Sequence, residues 1–372
     1  MKEYKFDTRS TSVLKGLLII FLLIHHLFNE ATVITDRKVI TLFLDPLLRQ
    51  SIARYFRICV GGFAFLTAYG MSAKFNKIEK MNNNSMFLIS IDRYIKLLFS
   101  FEFVYVIALL VSRFVFKNSI AATYAIEGKF KYNYMIYDAL GLANFFGSPS
   151  LNATWWYMSF AILLIFIVPV LFIGYKRMGV VLLPFFALIP LKLLAPNMEV
   201  NALLFPALLG IFFETENIFP RLKNIGKEKW YAKIIKILIS LFLIFITYSI
   251  SDSMSFSLML YGTCSILYAY ICFEFLENIP VIGSVLNFLG KHSMNIFFVH
   301  TFIYLYYFSD FIYSFQYDYI IVTVLLLICI AISLVLEGTK YILQYNKLMY
   351  FCIKRINQAV EKTGFLKDKI TG

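Results

Sequence analysis

The sequence predicts an all-α, polytopic membrane protein, a bundle of about ten transmembrane helices with both termini in the cytoplasm. Of its 372 residues, 60% are hydrophobic and 15% are charged, whereas soluble domains are roughly 45–50% apolar and about 25% charged. The apolar residues form runs that approach the ~17–25 residues needed to cross a bilayer. Lys and Arg gather in short segments between those runs.

The apolar runs predict ten spans along the chain. Their approximate bounds are 12–29, 56–73, 94–115, 154–174, 178–195, 200–214, 232–250, 256–276, 290–308 and 318–344. Prolines interrupt the fifth and sixth runs, and the sixth is short.

The basic segments predict the orientation, because cytoplasmic loops are enriched in Lys and Arg. "YKRM", "RLKNIGKEKWYAK" and the C-terminal tail are basic, whereas "PNMEV" and "SDSMS" contain no Lys or Arg. This pattern predicts a cytoplasmic N-terminus in the cell membrane. It also accounts for the net charge of +13 without a nucleic-acid partner. The exception is a basic cluster in the first outer segment, Arg37, Lys38, Arg49, Arg54 and Arg57, which lies on the wrong side for this topology and suggests another role.

The domain organisation is predicted to be simple. Residues 1–346 form one membrane domain, and residues 347–372 form a basic cytoplasmic tail whose alternating apolar and basic residues favour an interfacial amphipathic helix. Residues 116–153 are too long for a plain connector and predict short helices over the outer mouth. The five cysteines show no CxxC and no Cys/His pairing at metal spacing, so neither a disulfide framework nor a metal site is predicted.

The first apolar run carries the most informative residues, "RSTSVLKGLLIIFLLIHHLFNE". On one helix Lys15 and His26 lie within ~20° of the same face and ~16 Å apart, whereas His25 points ~100° away and is expected to pack against a neighbour. Ionisable groups inside spans usually face the bundle interior or a wet cavity. His26 would suit a general base, and Lys15 a phosphate-bearing donor. The alternatives are that Lys15 snorkels to the headgroups and that His26 bonds another helix.

Glu102 is a second candidate catalytic residue. It follows Arg93 by nine residues, ~13 Å deeper on a regular helix. A carboxylate near His26 would fix the imidazole tautomer and stabilise its protonated form. The alternative is a salt bridge from Glu102 to Lys96 or Lys15.

Five segments in chain order resemble motifs of acyltransferase family 3. "LKGLLIIFLLIHH" resembles its first-helix motif, a basic residue, ten residues and a histidine, with lysine in place of the more usual arginine. The other four are "FAFLTAYGM", "DRYIKLLFSF" with Arg93 and Lys96, "TWWYMSFAILLIFIVP" with Trp156, Ser159 and Pro169, and "LGKHSMNIFFVH" with Ser293 and His300.

The resemblance implies a ten-helix bundle that moves an acyl group, usually acetyl from acetyl-CoA, onto a hydroxyl of a surface or lipid-linked glycan. His26 would then be catalytic, and Lys15, Arg93 and Lys96 would bind the acyl-CoA. The glycan acceptor would bind near Trp156 and Ser159. Separately from the resemblance, the outer basic residues Arg49, Arg54 and Arg57 suggest that this acceptor is anionic. Membrane lipids would surround the bundle.

Several of these residues could instead have a purely structural role. Arg93 and Lys96 could serve solely to set the membrane topology, and Trp156 could be an interfacial anchor. Ser293 and His300 could simply bond neighbouring helices. The rival function is a transporter or glycan export component, because ten spans with internal prolines suit a carrier equally well. An enzyme would consume acyl-CoA, whereas a carrier would move an unmodified substrate.

Overall fold

The computed structural model describes residues 4–42, 44–78, 83–116, 120–184, 200–227, 229–251 and 257–362. These residues are helical apart from turns, loops, an isolated bridge and one two-stranded antiparallel hairpin, β1 (Ala125–Ile126) and β2 (Lys129–Phe130). The all-α prediction is therefore confirmed. The helices are α1 (Thr8–Phe28), α2 (Ala31–Asp36), α3 (Pro46–Tyr55), α4 (Cys59–Phe75), α5 (Asn83–Phe114), α6 (Ile120–Tyr124), α7 (Tyr132–Ala139), α8 (Trp156–Met178), α9 (Val200–Thr215), α10 (Ile218–Asn224), α11 (Trp230–Ser249), α12 (Ser257–Glu274), α13 (Pro280–Thr301), α14 (Ser309–Tyr313), α15 (Asp318–Ile342) and α16 (Tyr345–Lys362).

Six described helical segments are long and apolar enough to cross a membrane: Thr8–Phe28, Pro46–Phe75, Ser85–Phe114, Ala153–Pro184, Trp230–Ser249 and Asp318–Ile342. A seventh results if Leu203–Thr215 and Ile218–Asn224, bent by 63° at their junction, count as one span. These segments confirm a polytopic membrane protein. The number ten and the cytoplasmic termini stay predictions, and most of the predicted span 178–195 lies outside the described residues.

The chain divides into two compact units, one formed by Met1–Ala73 and Val170–Ile330, the other by Lys74–Pro169 and Ala331–Gly372. The predicted boundary at residue 346 stays a prediction. In the first unit, α1 begins at an N-cap, because the Asp7 carboxylate accepts hydrogen bonds from the backbone N–H groups of Arg9 and Ser10. This cap satisfies donors that a helix start otherwise leaves unpaired.

Helices α1 and α13 pack backbone to backbone in the first unit. A methyl group on Gly16 would overlap the carbonyl oxygen of Leu286, and one on Gly290 would overlap that of Ser12. Only glycine permits so close an approach. Near the start of both helices the Ser10 hydroxyl donates to Glu277 Oε2 over 2.6 Å.

The Ser10–Glu277 hydrogen bond lies near the start of both helices, and the His26–His300 ring pair lies near the end of both. The two helices therefore run parallel. Gly16 precedes His26 by ten residues, and Gly290 precedes His300 by ten, a rise of ~15 Å on each helix. The glycine crossing therefore brings these two histidines to the same level.

An aromatic cluster holds the chain ahead of α1. The Phe6 ring stacks on Phe219 at 4.7 Å between centroids and meets Tyr69 and Phe273 edge-on at 5.0 and 5.5 Å. Such pairs add about 0.5–1.5 kcal/mol each beyond the burial of their area. The start of α1 is thus fixed to α4, α10 and α12.

In the second unit, α16 packs along α5. Met349 and Ile353 of α16 are buried against Ile95 of α5, and Asn357 Nδ2 donates to Asp92 Oδ1 over 2.9 Å. Residues 345–362 are therefore helical, with one face against α5; their interfacial role and their sidedness stay predictions.

The segment between α5 and α8 is organised by a buried carboxylate. Asp138 is 1% exposed and accepts hydrogen bonds from the Tyr124 hydroxyl, the Ser150 hydroxyl and the Leu151 backbone N–H, each over 2.7 Å. Burial raises the pKa of the Asp138 carboxyl, whereas these donors lower it. Three donors on one carboxylate fix this segment as an ordered structure rather than a plain loop.

Candidate functional site

Lys15 and His26 lie on one uninterrupted helix, α1. Because the helix is regular throughout, the two side chains share a face within ~20° and are ~16 Å apart along the axis. Both are half-buried. The first unit therefore places a cation and an imidazole on the same stripe of α1.

The adjacent histidines have different surroundings. His25 Nδ1 lies 2.9 Å from the carbonyl oxygen of Ala53, so it bonds to α3. The His26 ring lies beside His300 of α13, with centroids 5.1 Å apart and the planes inclined by 42°. The 100° step between successive helical residues explains the difference.

His300 is fully buried, and both of its ring nitrogens are engaged. Nδ1 lies 2.8 Å from the carbonyl oxygen of Phe297, and Nε2 lies 3.3 Å from the hydroxyl of Thr301. The carbonyl can only accept, so Nδ1 carries the hydrogen and Nε2 accepts from Thr301. His300 is thereby held in one orientation and one tautomer.

His26 differs from both neighbouring imidazoles in its hydrogen bonding. Within the described part of the chain, neither of its ring nitrogens bonds to another residue, and its contacts are with the rings of His25, His300 and Tyr304. His300 has both nitrogens engaged and His25 has its Nδ1 engaged, so His26 is the one of these three imidazoles with both nitrogens open to a substrate among the described residues. A general base requires one such open nitrogen.

Tyr304 lies on a π-helical segment, Phe302–Tyr307, that directly follows α13. Together with His26 and His300 it forms a cluster of three rings, called the ring group below. Its ring stacks on His300 at 5.9 Å and 16° and lies 6.3 Å from the His26 ring. Its hydroxyl bonds to no other residue that the structure describes. π-Helical turns are rare and are frequent at functional sites.

Two of the outer arginines lie in the first unit close to the end of α1. Arg54 is exposed, and its Nε donates to the carbonyl oxygen of Asn29 over 3.2 Å. This bond satisfies a carbonyl that the end of α1 leaves unpaired. Arg57 is exposed on the turn Phe56–Ile58. Acceptor binding by either residue stays a prediction.

Arg93, Lys96 and Glu102 lie on α5 in the second unit, and all three are half-buried. Lys96 Nζ lies 5.7 Å from the ring centre of Tyr350. Glu102 forms no ion pair with Lys96 or with any other described residue of its unit. The predicted pairing of Glu102 with His26 stays a prediction.

Ser159 and Trp156 lie at the start of α8 in the second unit. The buried Ser159 hydroxyl donates to the carbonyl oxygen of Gly141 over 2.8 Å and accepts from the Phe145 N–H over 3.3 Å. It thus ties α8 to the segment that precedes it. Trp156 is half-buried. Their roles toward an acceptor stay predictions.

Within the described ranges, no group of three or more His, Cys, Asp or Glu side chains could hold a metal ion. The prediction that the protein uses no metal is not tested by this observation.

The ring group was only partly visible in the sequence. The motif that ends at His300 drew attention to that residue, but as a bond between helices rather than as a partner of His26. Tyr304 was missed. The signal that could have found it is its position four residues after His300, which a helix places on nearly the same face.

Comparison with known proteins identifies the family. The family model described as an acyltransferase domain, that of acyltransferase family 3, matches residues 9–338. No curated protein and no solved structure matches the chain significantly. The match covers nearly the whole chain and includes both histidines of the ring group. Together with the apolar helices, it shows that this multi-pass membrane protein belongs to acyltransferase family 3.

Proposed function

We propose that the protein is an O-acyltransferase that moves an acyl group from acyl-CoA to a hydroxyl of a cell-surface or lipid-linked glycan, and that this acyl group is acetyl. The observation that carries the proposal is His26, a half-buried imidazole whose nitrogens bond to no other described residue, set beside the fixed ring of His300. Family membership supports acyl transfer in general. The donor, the acetyl group and the glycan follow from the resemblance of the motifs.

In the proposed reaction neutral His26 takes the proton of the acceptor hydroxyl while the hydroxyl oxygen forms its bond to the acyl carbon. The carbon–sulfur bond breaks, and the protonated imidazole returns its proton to the leaving thiolate. General base catalysis of this kind contributes about 10²–10⁴-fold. The runner-up is a covalent acyl-histidine intermediate on the same ring.

His300 acts as a positioning residue in this scheme. Its ring is immobilised by the Phe297 carbonyl and the Thr301 hydroxyl and limits how far the adjacent His26 ring can turn. Holding a catalytic ring in a productive orientation lowers the entropic part of the barrier.

Tyr304 supplies a hydroxyl close to the catalytic ring, since its own ring lies 6.3 Å from that of His26. We expect it to donate a hydrogen bond to the acyl oxygen as negative charge develops there. Removing one such donor typically costs about 10²–10³-fold in rate. The absence of a described protein partner for this hydroxyl leaves it available to a substrate.

Three cations are proposed to bind the phosphates of acyl-CoA: Lys15, Arg93 and Lys96. Neither Arg93 nor Lys96 forms an ion pair with a carboxylate among the described residues of the second unit, which suits an anionic ligand. The positive-inside pattern supports entry of acyl-CoA from the cytoplasmic side of the cell membrane. Glu102 is kept as a proposed partner of His26, and an unchanged transfer rate in Glu102→Gln would exclude it.

A transporter or export component is the second candidate. The bent pair Leu203–Thr215 and Ile218–Asn224 favours it, because broken helices build the substrate sites of many carriers. The two functions differ in what happens to the substrate, since only an enzyme changes its mass.

Mass spectrometry of surface glycans decides between them. Cells without the gene are complemented with wild type, with His26→Ala, or with the control His292→Ala, which removes a histidine of α13 outside the proposed site. An acyltransferase restores an acetyl mass increment with wild type and with His292→Ala but not with His26→Ala. Glycans of unchanged mass but altered export in cells without the gene would support the carrier instead.

A further inference from the structure

A pocket with one polar end lies in the first unit, where α3 and α15 begin and α1 ends. Its volume is about 370 Å³, and its lining includes Ile24 of α1, Arg49 of α3, and Asp318 and Val322 of α15. Ile24 and His26 are two residues apart, so their side chains point ~200° apart around the helix. The pocket is therefore on the face of α1 opposite His26 and is not part of the ring group.

Arg49 is the unusual residue of this pocket, because it is 8% exposed. Its Nε lies 3.0 Å from Asp318 Oδ2, and its guanidinium lies over the Phe28 ring at 4.6 Å. The Nε–H does not point along a hydrogen-bond direction. The two terminal nitrogens have no hydrogen-bond partner in the part of the chain that the structure describes.

A buried guanidinium with unused donors is costly unless a further acceptor binds it. Arg carries five N–H donors in a planar fork, and that fork matches the paired oxygens of phosphate or carboxylate. Asp318 approaches the guanidinium most closely at Nε, and its Oδ1 also accepts from the Tyr319 N–H over 2.8 Å. The fork is therefore only partly used by the protein.

The rest of the pocket wall is mainly apolar. Leu44 and Val322 lie with Ile24 around the polar end, and the Thr323 hydroxyl is committed to its own helix through the Tyr319 carbonyl at 2.7 Å. One end that carries the Arg49 guanidinium and an apolar remainder match a molecule with an anionic head and a hydrocarbon chain. The volume lies at the lower end of the ~300–1,000 Å³ usual for ligand pockets.

We propose that this pocket binds the phosphate head of a chain-bearing amphiphile, with the phosphate oxygens on the terminal nitrogens of Arg49 and the chain along Ile24 and Val322. The inference does not depend on the acyl-transfer proposal, because binding at this site is measured without turnover.

The test measures the melting temperature of the detergent-purified, delipidated full-length protein. Three probes are titrated: short-chain phosphatidic acid, diacylglycerol with the same chains, and inorganic phosphate. Phosphatidic acid is expected to raise the melting temperature saturably, and the two partial probes are expected to do so at least ~10-fold less tightly, a difference of ~1.4 kcal/mol.

Two variants locate the site. Val322→Trp fills the pocket while leaving Arg49 and Asp318 in place, and Leu327→Trp is its control on an exposed position of the same helix. Arg49→Lys keeps the charge but removes the fork, and it covers the case in which Val322→Trp fails to fold. Affinity for phosphatidic acid should fall at least ~10-fold in Val322→Trp and in Arg49→Lys, but not in Leu327→Trp.

Two results would overturn the inference. Equal stabilisation of wild type and both pocket variants by phosphatidic acid would place binding elsewhere. Inorganic phosphate or diacylglycerol acting as well as phosphatidic acid would show that the site does not recognise a phosphate and a chain together.

Discussion

The imidazole rings of His26 and His300 lie side by side, with their centroids 5.1 Å apart, although they come from opposite ends of the sequence. The buried ring has both nitrogens engaged, whereas His26 bonds to no other described residue. This division separates a fixed supporting ring from a ring that can exchange protons.

Replacing His300 with Phe tests the supporting role. Phe keeps a flat ring in the buried site but loses the bonds to Phe297 and Thr301, so the His26 ring should turn more freely. We expect kcat to fall about tenfold, ~1.4 kcal/mol of activation free energy, with little change in KM for acyl-CoA. The control is His292→Phe on the same helix. A rise in KM with unchanged kcat would contradict a positioning role.

The glycine crossing of α1 and α13 gives a second prediction. Gly16→Ala and Gly290→Ala place a methyl group against a carbonyl oxygen of the facing helix, and overpacking of this kind costs about 1–3 kcal/mol or more. Both variants should lower the melting temperature and the transfer rate together. The control is Gly338→Ala, because a methyl group there meets nothing within 4 Å. Retention of wild-type stability by either crossing variant would contradict this packing.

The Tyr304 hydroxyl can be removed without disturbing the ring. Tyr304→Phe keeps the stacking on His300, and no described residue loses a hydrogen bond. The free energy of unfolding should therefore stay within ~0.5 kcal/mol of wild type. The transfer rate should fall about 10²-fold if the hydroxyl stabilises the acyl oxygen. Tyr306→Phe, at an exposed position of the same segment, is the control. Transfer at the wild-type rate by Tyr304→Phe would remove Tyr304 from the mechanism without affecting the role of His26.

Asp138 gives a prediction about pH. Burial raises the pKa of its carboxyl in the folded protein above the usual 3.8, so between the unfolded and folded pKa values the folded state binds more protons. The contribution of this group to stability therefore falls as pH rises through that window. Melting temperatures of wild type and Asp138→Asn, measured across the acid range, should differ by a pH-dependent amount of this sign. A difference that is independent of pH would contradict the raised pKa.

The sequence predicts the parts of the site that depend on one helix and misses those that depend on packing between helices. Helical periodicity places Lys15 and His26 on one face of α1, and the structure has that helix unbroken. It cannot place His300 beside His26, because that neighbour depends on where Gly16 and Gly290 let two distant helices meet.

Other features were hidden for similar reasons. Helical spacing could have linked Tyr304 to His300, but its place beside His26 depends on the same packing between α1 and α13. The motif predicts an acceptor contact for Ser159, which stays a prediction, but it does not predict that the hydroxyl holds the backbone of Gly141 and Phe145. Such backbone contacts depend on the path of a long connecting segment, which hydropathy does not determine.

The central claim is that His26 performs the proton transfer. The most direct measurement is the rate of label transfer from radiolabelled acetyl-CoA to an acceptor glycan by purified protein in lipid vesicles, with His26→Ala compared with His292→Ala at matched melting temperature. The account predicts a loss of at least ~100-fold for His26→Ala and wild-type transfer for His292→Ala. Transfer by folded His26→Ala within about twofold of wild type would contradict it, since a general base contributes more than that.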